Sequence, residues 1–154
     1  MNYFPAAFLI IAVSVAFPAA AQDLNLDASD LALSGYDPVE YLQFNRALKG
    51  FTDIETRFNG ARYRFRNQEN QERFLADPDR YLPAYGGWCA YSLAMDDPEY
   101  PRGKYPVDPK SFKIVDGRLH LFYNDAELDA LQQWNHDEAR YRAVADREWA
   151  AINR

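Results

Sequence analysis

Asn59-Gly60 sits between two runs of alternating apolar and charged residues, and that arrangement leaves the chain few choices. Asn and Gly both accept the positive φ that a two-residue type I′ turn demands, so the dipeptide reads as a hairpin tip. Pairing outward from it sets Phe58 opposite Ala61, Thr56 opposite Tyr63 and Ile54 opposite Phe65, and these six side chains share one face. Glu55, Arg57, Arg62 and Arg64 take the other face, as in a sheet with one buried and one wet side. Asn67 then caps a helix that runs to about Ala76 and stops before Asp77-Pro78.

A second unit follows the same plan. Residues 115–124 repeat the turn dipeptide (Asp116-Gly117), the strand and the Asn cap found in residues 58–67. Asn124 with Glu127 forms a capping-box pair, and the helix beyond sets Leu128, Leu131 and Trp134 near one stripe. The match is short, so shared turn chemistry accounts for it as well as repeat ancestry does. A helix over 38–44 starts on Asp37, with Pro38 at its first position and Glu40 in the capping-box place. A last helix over 137–152 presents Tyr141, Ala145 and Trp149 at four-residue spacing. The expected fold is α+β: one small domain of antiparallel β-hairpins packed with three or four helices. Between the units, Pro98, Pro101, Pro106 and Pro109 exclude a regular element over 96–110. A long irregular loop in a compact domain is often functional.

Residues 6–17 are apolar apart from Ser14, a run too short to span a bilayer. It ends in Pro18-Ala19-Ala20-Ala21, small residues that suit a signal-peptidase site ahead of Gln22. Residues 1–21 therefore read as a cleaved signal peptide, which implies export, most simply to a bacterial periplasm. Residues 22–33 are polar and acidic and read as a flexible lead-in, and the domain occupies 34–154. Removing the signal leaves about 130 residues, one domain on the usual length prior. The formal net charge of −6 argues against nucleic acid or anionic lipid as partner, since both require a basic surface. No later stretch resembles a membrane span. A small molecule, a metal or a protein remains as the partner of a soluble domain.

The chemistry centres on Cys89, the one cysteine in the chain. Gly86-Gly87 permits a sharp reversal just before it. A short helix over 89–94 aims free N–H groups and a positive dipole end at the sulfur, and both favour thiolate. Tyr85, Trp88 and Tyr91 are expected to wall the site, and the proline-rich loop to cover it. This reading predicts a partly accessible thiol, more acidic than a free one. The competing reading is an inert packing thiol, common for free cysteine. His120 is expected on the outer hairpin face opposite Lys113, and His136 at the junction of the last two helices. Neither clusters with other ligands, and Asp96-Asp97 and Asp137-Glu138 read as solvated charges. No phosphate-binding glycine loop or nucleophile elbow occurs. A Cys–His pair requires the fold to bring His120 or His136 to Cys89.

Gly35-Tyr36-Asp37-Pro38-Val39-Glu40-Tyr41, Phe58-Asn59-Gly60-Ala61-Arg62-Tyr63-Arg64-Phe65 and Phe74-Leu75-Ala76-Asp77-Pro78-Asp79-Arg80-Tyr81 together resemble a YHS domain. Tyr85-Gly86-Gly87-Trp88-Cys89-Ala90-Tyr91, with Val115-Asp116-Gly117-Arg118-Leu119, is similar to the exported branch of that family. The resemblance covers most of residues 33–150. In some members of that branch the position of Cys89 is selenocysteine, which implies a redox-reactive or soft-metal-binding role. Other YHS-like domains bind metals through cysteines at positions that fall here on Glu40, Arg66 and Asn70, and the family's Tyr-His falls on Phe58-Asn59. Cys89 is thus the one soft ligand retained, with Cu(I) the metal it would suit. The function expected is an exported YHS-domain protein using Cys89 for thiol redox chemistry or soft-ligand capture. A non-catalytic accessory module with a structural cysteine and a copper-type carrier are the alternatives, and enzymatic activity is left open.

Overall fold

The computed structural model describes residues 23–154. The expected signal peptide and its junction at Gln22 lie outside the described residues. Asp37 opens the first helix, α1 (Pro38–Phe44), by accepting the amides of Val39 at 2.8 Å and Glu40 at 3.4 Å. Strands β1 (Phe51–Phe58) and β2 (Ala61–Phe65) form the first antiparallel hairpin, turning at Asn59 (φ 47°) and Gly60 (φ 82°). Asn67 Oδ1 then accepts the Asn70 amide at 2.8 Å and starts α2 (Gln68–Ala76), followed by the single turn α3 (Pro78–Tyr81). After a kinked 3-10 turn over Ala84–Gly87 comes α4 (Ala90–Ala94). Strands β3 (Asp108–Val115) and β4 (Arg118–Phe122) make the second hairpin, and α5 (Ala130–His136) and α6 (Glu138–Ile152) close the chain. The fold is α+β, with two separate two-stranded sheets and six α-helices among the described residues. The surplus over three or four helices comes from the short pieces α3 and α4.

The first hairpin pairs as expected near its tip, Phe58 with Ala61 and Thr56 with Tyr63. Beyond that the register shifts, and Phe65 faces Phe51 in place of Ile54. Gly50 explains the shift. A Cβ there would lie 2.4 Å from the Arg64 carbonyl carbon, so only glycine lets the entering chain press onto β2. The wet face carries Glu55 between Arg62 and Arg64, each pair at 3.4 Å. In the second hairpin, β3 reaches back to include Pro109, where no regular element was expected. A two-stranded ribbon has only edge strands, and the register slips between Asp108 and Phe112, so the missing N–H is tolerated. The Pro109 carbonyl instead accepts the Tyr41 hydroxyl at 2.7 Å.

Two apolar clusters meet at β4. Leu119 and Leu121 face one cluster, built around Phe74, Tyr63, Phe65 and Tyr41. Phe122 faces the other, with Trp134, Tyr85, Leu93 and Cys89. Successive strand residues point to opposite sides, so β4 is buried on both faces. This corrects the expected wet outer face. His120 does pair with Lys113 across the hairpin, but it is only 3% exposed, with its ring edge-on to Tyr85 at 5.4 Å and tilted against Trp134 at 6.1 Å.

Two further expectations are corrected. Asn124 does not cap a helix. Asp125 Oδ1 accepts the amides of Glu127 at 2.9 Å and Leu128 at 2.8 Å, which turns the chain locally. Asp129 supplies the cap of α5 instead, accepting the Gln132 amide at 3.0 Å. The two hairpin–helix units therefore differ after their strands. The lead-in is also docked and not loose. The Asn25 amide donates to Gly86 O at 2.9 Å, its side chain donates to Gly87 O and Tyr105 O, each at 3.1 Å, and Leu24 and Leu26 pack against the first cluster. Apolar residues at alternate positions explain the docking.

Candidate functional site

The segment before Cys89 is shaped by backbone strain. Tyr85 (φ 54°), Gly86 (φ 57°) and Gly87 (φ 82°) are consecutive left-handed residues, which reverse the chain as expected. Left-handed backbone is costly for a residue with a Cβ, so Tyr85 must be held by its surroundings. Its hydroxyl donates to Asp146 Oδ1 at 2.8 Å, and its ring packs edge-on against His120 and Trp149. Trp88 Nε1 donates to Asp23 O at 2.6 Å, and its ring lies 5.8 Å from that of Trp149. Tyr85 and Trp88 thus brace the turn from behind.

Cys89 is the residue just ahead of α4. Its Sγ accepts the Tyr123 amide at 3.3 Å, and its backbone bridges Leu121 at the end of β4. The residue is 1% exposed. Burial pushes the thiol pKa up, outweighing the amides of Tyr123, Ser92 and Tyr91 and the Ser92 hydroxyl, which favour thiolate. The expected accessible, acidified thiol is therefore corrected: desolvation wins over the N–H groups at the start of α4, and the thiol is protonated at neutral pH.

Cys89 nonetheless lies at the floor of a cleft of about 720 Å³. The walls come from α4 (Tyr91, Ser92), the proline-rich loop (Met95, Asp97, Tyr100, Tyr105), the turn after β4 (Tyr123, Asp125, Glu127) and α5 (Ala130, Gln133). Of the residues expected around Cys89, Tyr91 reaches this cleft, while Tyr85, Gly86, Gly87 and Trp88 are not among its lining residues. The proline-rich loop forms a wall, as expected of a cover, but it is tied down. Ser92 Oγ donates to Gly103 O at 3.2 Å, Arg102 Nε to Leu93 O at 3.1 Å, and the Lys104 ammonium pairs with Asp23. Asp125 is held below the usual carboxylate range by the Tyr123 hydroxyl and the amides of Leu128 and Glu127.

The tyrosines and carboxylates of the cleft were missed from sequence because they come from irregular backbone, where no periodicity marks a shared face. The one available signal was Asp125, whose side chain suits a turn and which competes with Asn124 as a cap.

Neither histidine lines the cleft, so no imidazole joins Cys89 there. Cys89 and Met95 are the sulfur-bearing residues that line it. A thiol whose Sγ already accepts an amide, with a single thioether, does not make a closed zinc or copper shell. Among the described residues no three His, Cys, Asp or Glu side chains gather as a metal site. The positions that carry cysteines in other YHS-like domains do converge, but on hydrogen bonds. Asp37 Oδ2 accepts the Arg66 amide and Asn70 Nδ2, each at 2.7 Å, and Asn70 Nδ2 also donates to Glu40 Oε1 at 3.1 Å. Arg46 neutralises Glu40 at 2.6 Å. No helix among the described residues is long and apolar enough to cross a membrane. Comparison of the chain with protein-family models, with curated proteins and with solved structures returns no match.

Proposed function

We propose that this chain is an exported, YHS-like binding module whose working site is the Cys89 cleft. The neutral thiol supplies a soft, polarisable contact to a small bound molecule. The observation that carries this reading is Cys89 itself, at the floor of a 720 Å³ cleft yet kept protonated by burial. That volume suits a small organic ligand. A thiol that resists ionisation is a poor nucleophile, so capture is favoured over redox attack. Support for the YHS-like reading comes from Glu40, Arg66 and Asn70, which lie far apart in sequence and meet around Asp37. Support for export comes from the apolar run and its small-residue end.

Iodoacetamide labelling across pH, with unfolded protein as reference, tests the proposal. The native thiol is expected to label to completion without unfolding, but only about one pH unit or more above the unfolded chain, whose thiol ionises at roughly 8.5. Labelling below the unfolded range would establish the redox reading instead. Labelling limited by the rate of global unfolding would make Cys89 a structural residue and leave only an accessory module.

A further inference from the structure

We infer that the Cys89 cleft takes a small organic cation, an ammonium group carried on an apolar body; this rests on the cleft being the working site. Tyr91, Tyr100, Tyr105 and Tyr123 contribute four rings to its walls. Ring faces carry negative charge density and attract a cation held within about 6 Å. Asp97, Asp125 and Glu127 add three carboxylates, all on exposed backbone at the mouth. No Lys, Arg or His lines the cleft. The loop's guanidinium, Arg102, is bound to the Leu93 carbonyl and lies between Asp96 and Glu148, at 3.8 and 3.9 Å. The loop's ammonium, Lys104, is paired with Asp23.

An anion entering this space meets carboxylates with no compensating charge. A neutral apolar molecule gains the ring and methyl surface alone. An inorganic cation finds no prepared shell, since Asp97 Oδ1 already accepts the Glu99 amide and Asp125 Oδ1 the Glu127 and Leu128 amides. An organic ammonium gains from both the rings and the carboxylates, and its body fills the volume above Cys89.

The test titrates the intact protein with benzyltrimethylammonium, its neutral isostere neopentylbenzene and anionic phenylacetate, using calorimetry for affinity and Cys89 labelling to locate the ligand. The cation is expected to bind about tenfold or more tighter than either comparison compound, and to slow Cys89 labelling. Tyr100→Leu and the double variant Asp97→Asn/Glu127→Gln alter exposed side chains, and each should weaken the cation about threefold or more with an unchanged melting curve. Equal or tighter binding of the neutral or anionic compound, with Cys89 protected, overturns the cation while sparing the cleft as the working site. Cation binding that leaves Cys89 labelling unchanged, or is unaffected by both variants, overturns the inference. Absence of binding by all three compounds overturns it too, and the pH profile of labelling then judges the cleft on its own.

Discussion

Between the rings of Tyr85 and Trp134, His120 has no water to stabilise an imidazolium, and burial lowers its pKa. The unfolded chain protonates this histidine near pH 6.5, and the folded chain only at lower pH. Between those two values the unfolded state binds more protons, so stability rises with pH across that window. The His120 contribution is complete above about pH 6.5 and is lost as pH falls through the folded pKa. Denaturant midpoints at about pH 7.5 and about pH 5.5 should therefore drop more in the wild type than in His120→Leu. An equal drop in both would assign the acid sensitivity to other groups. The identity of His120 and its partner Lys113 could be read from the hairpin register; its burial could not. A strand with a Lys on one neighbour looks wet on that face, and nothing local reveals that α5 and the Tyr85 turn will cover it. Cys89 went the same way. The N–H groups that favour thiolate were legible from Gly86-Gly87 and the short helix, whereas the desolvation that outweighs them comes from β4, more than thirty residues further along the chain.

Elements built by local chemistry were the legible part of the fold. Asp37 with Pro38, Asn67 and the two turn dipeptides set α1, α2 and both hairpin tips where side-chain capping and positive φ require them. Elements decided by competition were not: Asp125 displaced Asn124, and Gly50 displaced the Ile54 pairing. The two kinds of constraint separate experimentally at two glycines. Gly60 has φ 82° and nothing within 4 Å of a new Cβ, so Gly60→Ala should cost only backbone strain, about 1 kcal/mol. Gly86 has φ 57°, and its Cβ would lie 2.9 Å from Trp149 Cη2 and 3.1 Å from Asp23 O. Gly86→Ala should add overpacking to the strain and cost about 3 kcal/mol. Urea unfolding of both variants checks the ordering. Equal losses would show that Trp149 and the N-terminal strap yield freely.

At the scale of the whole molecule, two sheets that never hydrogen-bond to one another are joined by β4, buried on both faces, and by the strap of residues 23–26. The strap matters to the site as well as to the fold. Asn25 ties the Gly86-Gly87 turn to Tyr105, and so links the backbone ahead of Cys89 to the opposite wall of the cleft. Export cleavage ahead of Gln22 would leave this strap intact with one residue to spare. The exported protein is accordingly expected to begin at Gln22, which the intact mass of the periplasmic fraction reports. Cleavage within residues 23–26 would contradict the strap's role, and full-length chain in the membrane pellet would contradict export. A chain starting at Asp27 should lose about 3 kcal/mol or more relative to one starting at Gln22. It forfeits the hydrogen bonds of Asn25, leaves Trp88 Nε1 without its Asp23 acceptor, and exposes the surface that Leu24 and Leu26 cover. Because the loss opens the wall as well as the turn, Cys89 labelling in the shortened chain should move toward the pH range of the unfolded protein. An unchanged denaturant midpoint together with an unchanged labelling profile would show that the strap only decorates a domain complete without it.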